Sequence, residues 1–198
     1  MHKSLNDANL ELIAGLITPK SRVLDLGCGQ GKLLKHLKDI SQCSIQGIDV
    51  SQDEVIACIS RGVPVLQLDL EEGLSYYKDQ SFDYIVISQT MQQVAAPHKL
   101  IREALRVGKK ALVSIHNLAY WKSRFQISCK GRMPYTESLP HEWYNTPNIH
   151  LGSIKDFQNM CQKENFRITA QSPGGSSLFI NLNHNLFSEF CVFTLEHA

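Results

Sequence analysis

The sequence predicts an α/β fold, a mostly parallel sheet with helices on both faces. Three observations predict it. Between residues 22 and 115, short apolar runs of strand length alternate with runs whose apolar residues recur at helical spacing. The first strand-like run passes at once into a turn with glycines at 27, 29 and 31, and then into a helical run. After a long irregular stretch, apolar runs at 166–170 and 190–195 read as an antiparallel pair that finishes the sheet.

Each element has its own reason. Leu10, Ile13, Ala14, Leu16 and Ile17 form the apolar face of a short helix that closes before Pro19. Residues 22–26 are the first strand, and 32–37 are helical by spacing. A second strand spans 44–48, and a helix follows over 53–60 with Ser51 as its cap. The third strand covers 64–68 and the fourth 82–87. Pro97 opens a helix that runs to about residue 107, where Gly108 ends it, and 110–115 is the fifth strand. Residues 116–152 then carry Trp121, Pro134, Pro140, Trp143 and Pro147 among many polar residues, with helical spacing only around 119–128. A stretch that long without regular elements is expected to be a lid or a partner-binding segment. A helix over 153–164 follows, and 172–185, with Pro173, Gly174 and Gly175, reads as a loop.

Composition sets the outer bounds. At roughly 100–200 residues per domain, 198 residues make a single domain over 1–198. A chain of this length buries about 70% of its unfolded surface. Apolar residues are 43% and charged residues 20%, the mix of a globular protein. A net charge of +1 argues against a nucleic-acid-binding surface, whose affinity comes from excess Lys and Arg. No apolar run approaches the ~20 residues of a membrane span. Residues 1–7 contain no apolar signal core, so a cytoplasmic protein is expected. The six cysteines are scattered without a CxxC, which reads as small buried hydrophobes in a reducing compartment, with redox activity in one of them the other reading. The eight histidines form no HExxH. His141 and Glu142 begin like a zinc helix, but Asn145 stands where the second ligand belongs, so no metal is expected.

The sharpest signal is the glycine loop. Glycines at 27, 29 and 31 lie between a strand and a helix, where a ligand can approach backbone amides with no Cβ in the way. The spacing is GxGxG, whereas the dinucleotide fingerprint wants GxGxxG, whose third small residue would fall on Lys32. Asp25 precedes the loop by two residues. Asp49 ends the second strand, where a carboxylate can accept both hydroxyls of a ribose, and Asp69 ends the third, where an acid can reach an adenine amino group. Three acids around a glycine loop suit a nucleoside without a phosphate chain. An NAD-binding Rossmann domain, or acids that merely cap strand ends, are the other readings.

This set resembles the class I S-adenosylmethionine (SAM) methyltransferases. The resemblance implies a Rossmann-like fold with a seven-stranded, mostly parallel sheet, its last strand antiparallel, and helices on both faces. It implies SAM or S-adenosylhomocysteine (SAH) as cofactor, bound by Asp25, Gly27, Cys28, Gly29, Gly31, Asp49, Val50, Asp69, Leu70 and Ser88. Further residues narrow it. The runs 82–94, 131–134 (Gly-Arg-Met-Pro) and 139–151 are similar to the methionine-biosynthesis protein MetW family, over about residues 20–170. Gln30, His116, His141 and Asn145 depart from that family's pattern, but no glycine or nucleoside acid is lost.

Methyl transfer from a sulfonium is a displacement in which the protein supplies position, a dry pocket and sometimes a base. The exit of the fourth strand offers Ser88, Gln89, Thr90, Gln92 and Gln93, all neutral. His116, at the exit of the fifth, is the nearest titratable candidate for a catalytic role. Two functions therefore stay open. One is a SAM-binding protein of methionine biosynthesis that modulates a homoserine O-acyltransferase, the partner that the family resemblance implies. The other is an active SAM-dependent methyltransferase acting on a small molecule or a protein side chain.

Overall fold

The computed structural model describes residues 4–197. The order of elements is α1 (Leu5–Leu16), β1 (Arg22–Leu26), α2 (Lys32–Ser41), β2 (Ser44–Asp49), α3 (Gln52–Ser60), β3 (Val65–Gln67), a 3-10 turn (Leu70–Glu72), β4 (Phe82–Ser88), α4 (Pro97–Val107), β5 (Gly108–His116), α5 (Trp121–Lys130), α6 (Ile154–Lys163), β6 (Arg167–Gly174), α7 (His184–Phe187) and β7 (Phe190–Glu196). The seven strands form one sheet in the order β3-β2-β1-β4-β5-β7-β6. Strands β1 to β5 are parallel, and β7 runs antiparallel to both β5 and β6. The expected seven-stranded, mostly parallel sheet with its last strand reversed is the observed one.

Alternate residues of each strand face opposite layers. Leu24, Leu26, Ile85, Ile87, Ala111 and Val113 pack under α4 and α6. Val23, Tyr84, Val86 and Leu112 pack under α1 and α2, which contribute Ile13, Leu33, Leu34 and Leu37. All five parallel strands therefore deliver their loops to one edge of the sheet. A ligand in an open α/β sheet sits at that edge.

The structure departs from the sequence reading in a few places. Helix α1 begins at Leu5, capped by the Ser4 side chain, which accepts from the Asp7 N–H at 3.2 Å. Ser51 precedes α3, but its side chain makes no cap bond; its own N–H donates to Asp49 Oδ1 at 3.0 Å. Gly108 does not stop α4 in a left-handed turn but opens β5 in extended backbone. A Cβ there would collide with the Ile85 side chain, so its small size serves packing. Strand β6 continues through Pro173 and Gly174, which the sequence reading placed in the loop 172–185. It is an edge strand, where a proline's missing N–H costs no interior ladder bond. Gly174 is needed because a Cβ would strike the ring of Phe190 opposite it. The same loop hides α7, capped by Asn183 Oδ1, which accepts from the Leu186 N–H at 3.1 Å.

Among the described residues no helix is long and apolar enough to cross a membrane. Of the opening segment, residues 1–3 lie outside the described residues. Cys43, Cys58, Cys161 and Cys191 are buried, Cys28 is half-buried and Cys129 is exposed.

Candidate functional site

The site begins with the turn after β1. Gly27 has φ 75° and Gly29 φ 51°, left-handed values that favour glycine. The two do different work. A Cβ on Gly27 would run into the Thr90 side chain, so Gly27 lets the β4 exit close onto the loop. A Cβ on Gly29 would meet nothing within 4 Å, so the side that a side chain would take is open space that a ligand can enter. Gly31 is the N-cap position of α2, and a Cβ there would press on Cys58 Sγ at 2.8 Å.

Backbone bonds hold this turn against β2. The N–H groups of Gly27 and Cys28 donate to the Ile48 carbonyl at 2.9 and 3.0 Å. Asp49 is spanned by backbone: its Oδ2 accepts from the Gly29 N–H at 2.8 Å and its Oδ1 from the Ser51 N–H at 3.0 Å. Each carboxylate oxygen keeps a lone pair for a further donor. Cys28 Sγ lies 3.8 Å from Cys58 Sγ, and the Cys58 thiol donates to the Gly29 carbonyl at 3.0 Å. Burial is the first cause that pushes both thiols up, so they are protonated packing groups.

A cavity of about 380 Å³ opens over this turn. Its walls are Asp25, Gly27, Cys28, Gly29 and Gln30 from β1 and the loop, Lys32 and Leu33 from α2, Ser88 and Gln89 from β4, and Ser4, Asn6, Asp7, Asn9 and Leu10 from α1 and its cap. Asp25 is 3% exposed. Its Oδ1 is buried without a partner among the described residues. Burial, with the Asp49 carboxylate adding to it, pushes the Asp25 carboxyl up to about 7. Gln89 has φ 59°, uncommon for a residue with a side chain, and its Nε2 is also buried and unpartnered. An open backbone cradle lined by unpaired buried polar groups fits a polar ligand that would satisfy them.

The predicted residues thus fall into three groups. Asp25, Gly27, Cys28, Gly29 and Ser88 line the cavity. Gly31 and Asp49 shape the turn from behind. Val50, which is 63% exposed, Asp69 and Leu70 line no part of the cavity. They follow β2 and β3, which are joined there by the Leu68 N–H donating to the Asp49 carbonyl at 3.1 Å. Asp69 caps the 3-10 turn, its Oδ1 accepting from the Glu71 N–H at 2.9 Å.

Helix α1 is the part of the site that sequence reasoning missed. Asn9 is 1% exposed; its Nδ2 donates to Ser88 Oγ at 2.9 Å and its Oδ1 accepts from Ser114 Oγ at 2.6 Å. It ties α1 across the exits of β4 and β5. The available signal was spacing: Leu5, Asn9 and Ile13 are the buried row of α1, and a polar residue in an apolar row four apart marks a specific partner.

His116 ends β5 but lines a separate cavity of about 210 Å³, with Met91, Gln92, Ile115, His150 and Phe157 among its walls. Among the described residues none lines both cavities. Burial holds the imidazole down at about 4, so it is neutral at physiological pH. Its Nδ1 has no hydrogen-bond partner among the described residues.

The segment 116–152 passes over the same edge of the sheet. The Ile149 and His150 N–H groups donate to the Gln92 carbonyl at 2.8 and 3.1 Å, and Glu137 Oε1 accepts from the Leu5 N–H at 3.0 Å. Trp143 and Tyr144 stand 71% and 70% exposed, packed edge to face on each other. Trp143 does not fold back to cover the sheet.

Comparison with known proteins gives the family and the fold. The chain is 34% identical over 164 residues to a bifunctional methionine biosynthesis protein MetXA/MetW of Rhodopirellula baltica, a match covering 78% of this chain and 26% of that protein. It is 27% identical over 124 residues to phosphoethanolamine N-methyltransferase 2 of Caenorhabditis elegans, covering 58% of the chain and 28% of that protein. The chain thus spans about a quarter of the length of these curated relatives. Among solved structures, an S-adenosylmethionine-dependent methyltransferase from Mesorhizobium loti superposes with a TM-score of 0.71 at 17% identity, over 98% of this chain and 100% of that one. A SAM-dependent methyltransferase from Archaeoglobus fulgidus gives 0.71 at 16% identity, over 98% and 94%. At such identities the likeness shows the fold, and the fold is that of the class I methyltransferases. The family model described as methionine biosynthesis protein MetW matches residues 7–195, nearly all of the sequence, so the chain belongs to the MetW family.

Proposed function

We propose that the chain is a cytoplasmic SAM- and SAH-binding protein of methionine biosynthesis that modulates a homoserine O-acyltransferase. The observation that carries this reading is the composition of the 380 Å³ cavity. It has the glycine cradle and buried acid of a nucleoside site, yet among the described residues its β4 exit contributes the neutral Ser88 and Gln89, and no described histidine lines it. In this reading the 27–31 loop lies under the cofactor's amino-acid tail, beside Asp25 and Ser88. Asp49 accepts the ribose hydroxyls, and Val50, Asp69 and Leu70 flank the adenine. When bound, SAM supplies an electrophilic methyl group, and SAH is the same nucleoside after that group has gone.

The partner is supported by the Rhodopirellula relative, whose name joins a MetXA part to a MetW part. We take the MetXA part to be the acyltransferase. Joining two modules in one chain keeps each at high effective concentration for the other. The segment 116–152, with Trp143 and Tyr144 turned outward, is the surface we assign to that partner, because aromatic anchors dominate interface energetics.

The test is homoserine acylation by the acyltransferase of the same organism, assayed with and without this chain and with SAM or SAH added. The expected result is co-purification of the two proteins and a several-fold change in acylation that responds to the nucleoside. No association and no change would sink the regulatory reading. The cavity at His116 favours a second reading. An apolar chamber with a neutral imidazole at the exits of β4 and β5 is what a methyltransferase with an unidentified small-molecule or protein acceptor would need. Transfer of a labelled methyl group from SAM to any component of a cell extract would support it.

A further inference from the structure

We propose that Asp25 makes the nucleoside site proton-linked. At mildly acidic pH it is neutral in the ligand-free protein and ionises as an adenosine nucleoside whose tail bears a positively charged group enters, so that binding expels a proton. The inference rests on the cofactor reading above and goes beyond it.

The geometry isolates this carboxyl. Asp25 sits on β1 between Gly47 of β2 and Val86 of β4, its neighbours in the sheet. It is 3% exposed, and it has no hydrogen bond or ion pair among the described residues. The groups facing it from the surrounding elements do not compensate its charge. From β2 comes Asp49, a second acid. From the loop and α3 come the thiols of Cys28 and Cys58, both of which feel Asp25 as a like charge. From α1 and α2, Asp7 and Lys32 line the cavity, and from β4 come Ser88 and Gln89, which do not titrate. Of the two acids, Asp49 has both oxygens committed to backbone N–H groups and Asp25 has neither, so the proton of the pair resides on Asp25. The rise of its carboxyl to about 7 agrees with that placement.

A buried carboxyl on the wall of a cavity, with no cation paired to it among the described residues, is a place prepared for one. An ammonium or sulfonium arriving within ~4–6 Å favours the charged form and displaces the proton. The balance is simple: the neutral carboxylic acid becomes a carboxylate, the proton passes to buffer, and the ligand's positive charge takes its place. The ligand class is therefore an adenosine carrying a charged tail. A neutral relative such as 5′-methylthioadenosine, with neither ammonium nor sulfonium, lacks the group that drives ionisation.

Titration calorimetry of the whole chain with SAM, SAH and 5′-methylthioadenosine, in buffers of different ionisation enthalpy, reads the proton directly. At about pH 5.5, SAM and SAH should release close to one proton. Their affinity should rise roughly twentyfold by about pH 7.5, as a group titrating at about 7 requires. Methylthioadenosine should show neither effect, and Asp25→Asn should abolish the release and flatten the profile for SAM. SAM binding without proton exchange in the unmodified protein overturns the inference and leaves the cofactor reading standing. Equal proton release with methylthioadenosine overturns it as well. Failure of all three nucleosides to bind at either pH sinks the cofactor reading and this inference together. The comparison of ligands on the unmodified protein decides even if the variant does not fold.

Discussion

The glycine turn and the segment 116–152 face the same edge of the sheet, but they are held in opposite ways. The turn is fixed by backbone. Ile48 and Asp49 take its N–H groups, and Thr90 Oγ1 donates to the Leu26 carbonyl at 3.1 Å above it. Its side chains are small or absent, and its polar groups point toward a cavity. The segment is fixed at a few places, by Gln92, by Glu137 and by the Gln126 side chain, which pairs with the backbone of Tyr135. Its large side chains, Trp143, Tyr144 and Tyr135, are exposed. In the turn the backbone is spent on internal bonds, and the glycines leave room above it for the side chains of Asp25, Ser88 and Gln89 to face the cavity. In the segment the backbone has few such anchors and presents large side chains outward.

Substitutions in the two regions should have different consequences. The largest effect expected is at Asp25. An acid whose carboxyl rises from 3.8 to about 7 on folding costs the ligand-free protein roughly 4 kcal/mol once the pH exceeds the higher value. The unfolded chain gives up this proton near 3.8 and the folded one near 7, so stability falls as pH rises between those values. Asp25→Asn should therefore gain stability over the parent across that window, approaching about 4 kcal/mol above pH 7 and little near pH 4. Denaturant unfolding of both proteins at the two ends of the window checks it. A variant no more stable than the parent at high pH would mean that the turn is not the strained half of the comparison.

Next comes Gly29→Val. Its side chain would enter the space above the turn, and a branched residue at φ 51° adds left-handed strain of roughly 1–2 kcal/mol. Binding of SAM should fall by more than a hundredfold while the protein still melts cooperatively, which thermal shift with and without SAM would read. Asp49→Ala should be milder. It removes the charged acceptor from the ribose and also frees the Gly29 and Ser51 N–H groups, so affinity should drop roughly ten- to a hundredfold with some loss of stability. Calorimetry that finds unchanged affinity would place the ribose elsewhere. The smallest effect on stability is expected at Trp143. At 71% exposure its replacement by Ala should change stability by less than about 0.5 kcal/mol, against the ~3–5 kcal/mol of a core tryptophan. It should nevertheless weaken association with the acyltransferase. Normal stability with normal association would move the partner surface off this segment.

The same contrast explains what could be read from the sequence. Gly27, Gly29, Asp25 and Asp49 were legible because glycines and acids at strand ends have few other uses, and strand period places them on one edge. Asn9 was not, because the helical face was counted from Leu10 and the first turn of α1 depends on a cap by Ser4. The continuation of β6 was hidden because Pro173 and Gly174 read as turn residues, and only the edge position and the Phe190 ring opposite explain them. Beyond the helical spacing around 119–128, which the structure shows as α5, the segment 116–152 has no period to read. Whether Trp143 covers the sheet or faces outward depends on packing against distant residues, which no local pattern carries.

The position of β7 has a consequence for synthesis. It is the last strand in sequence, yet it lies between β5 and β6 and supplies both of their ladders on that side. Until residues 190–196 have left the ribosome, β5 carries an open row of N–H and C=O groups from Lys110 to His116, and β6 has no partner at all. An apolar edge in that state can pair with another chain. The nascent protein therefore passes through a stage in which most of its core can assemble while its sheet stays open, and the pairing that closes it spans about 80 residues of sequence, a slow step by contact order.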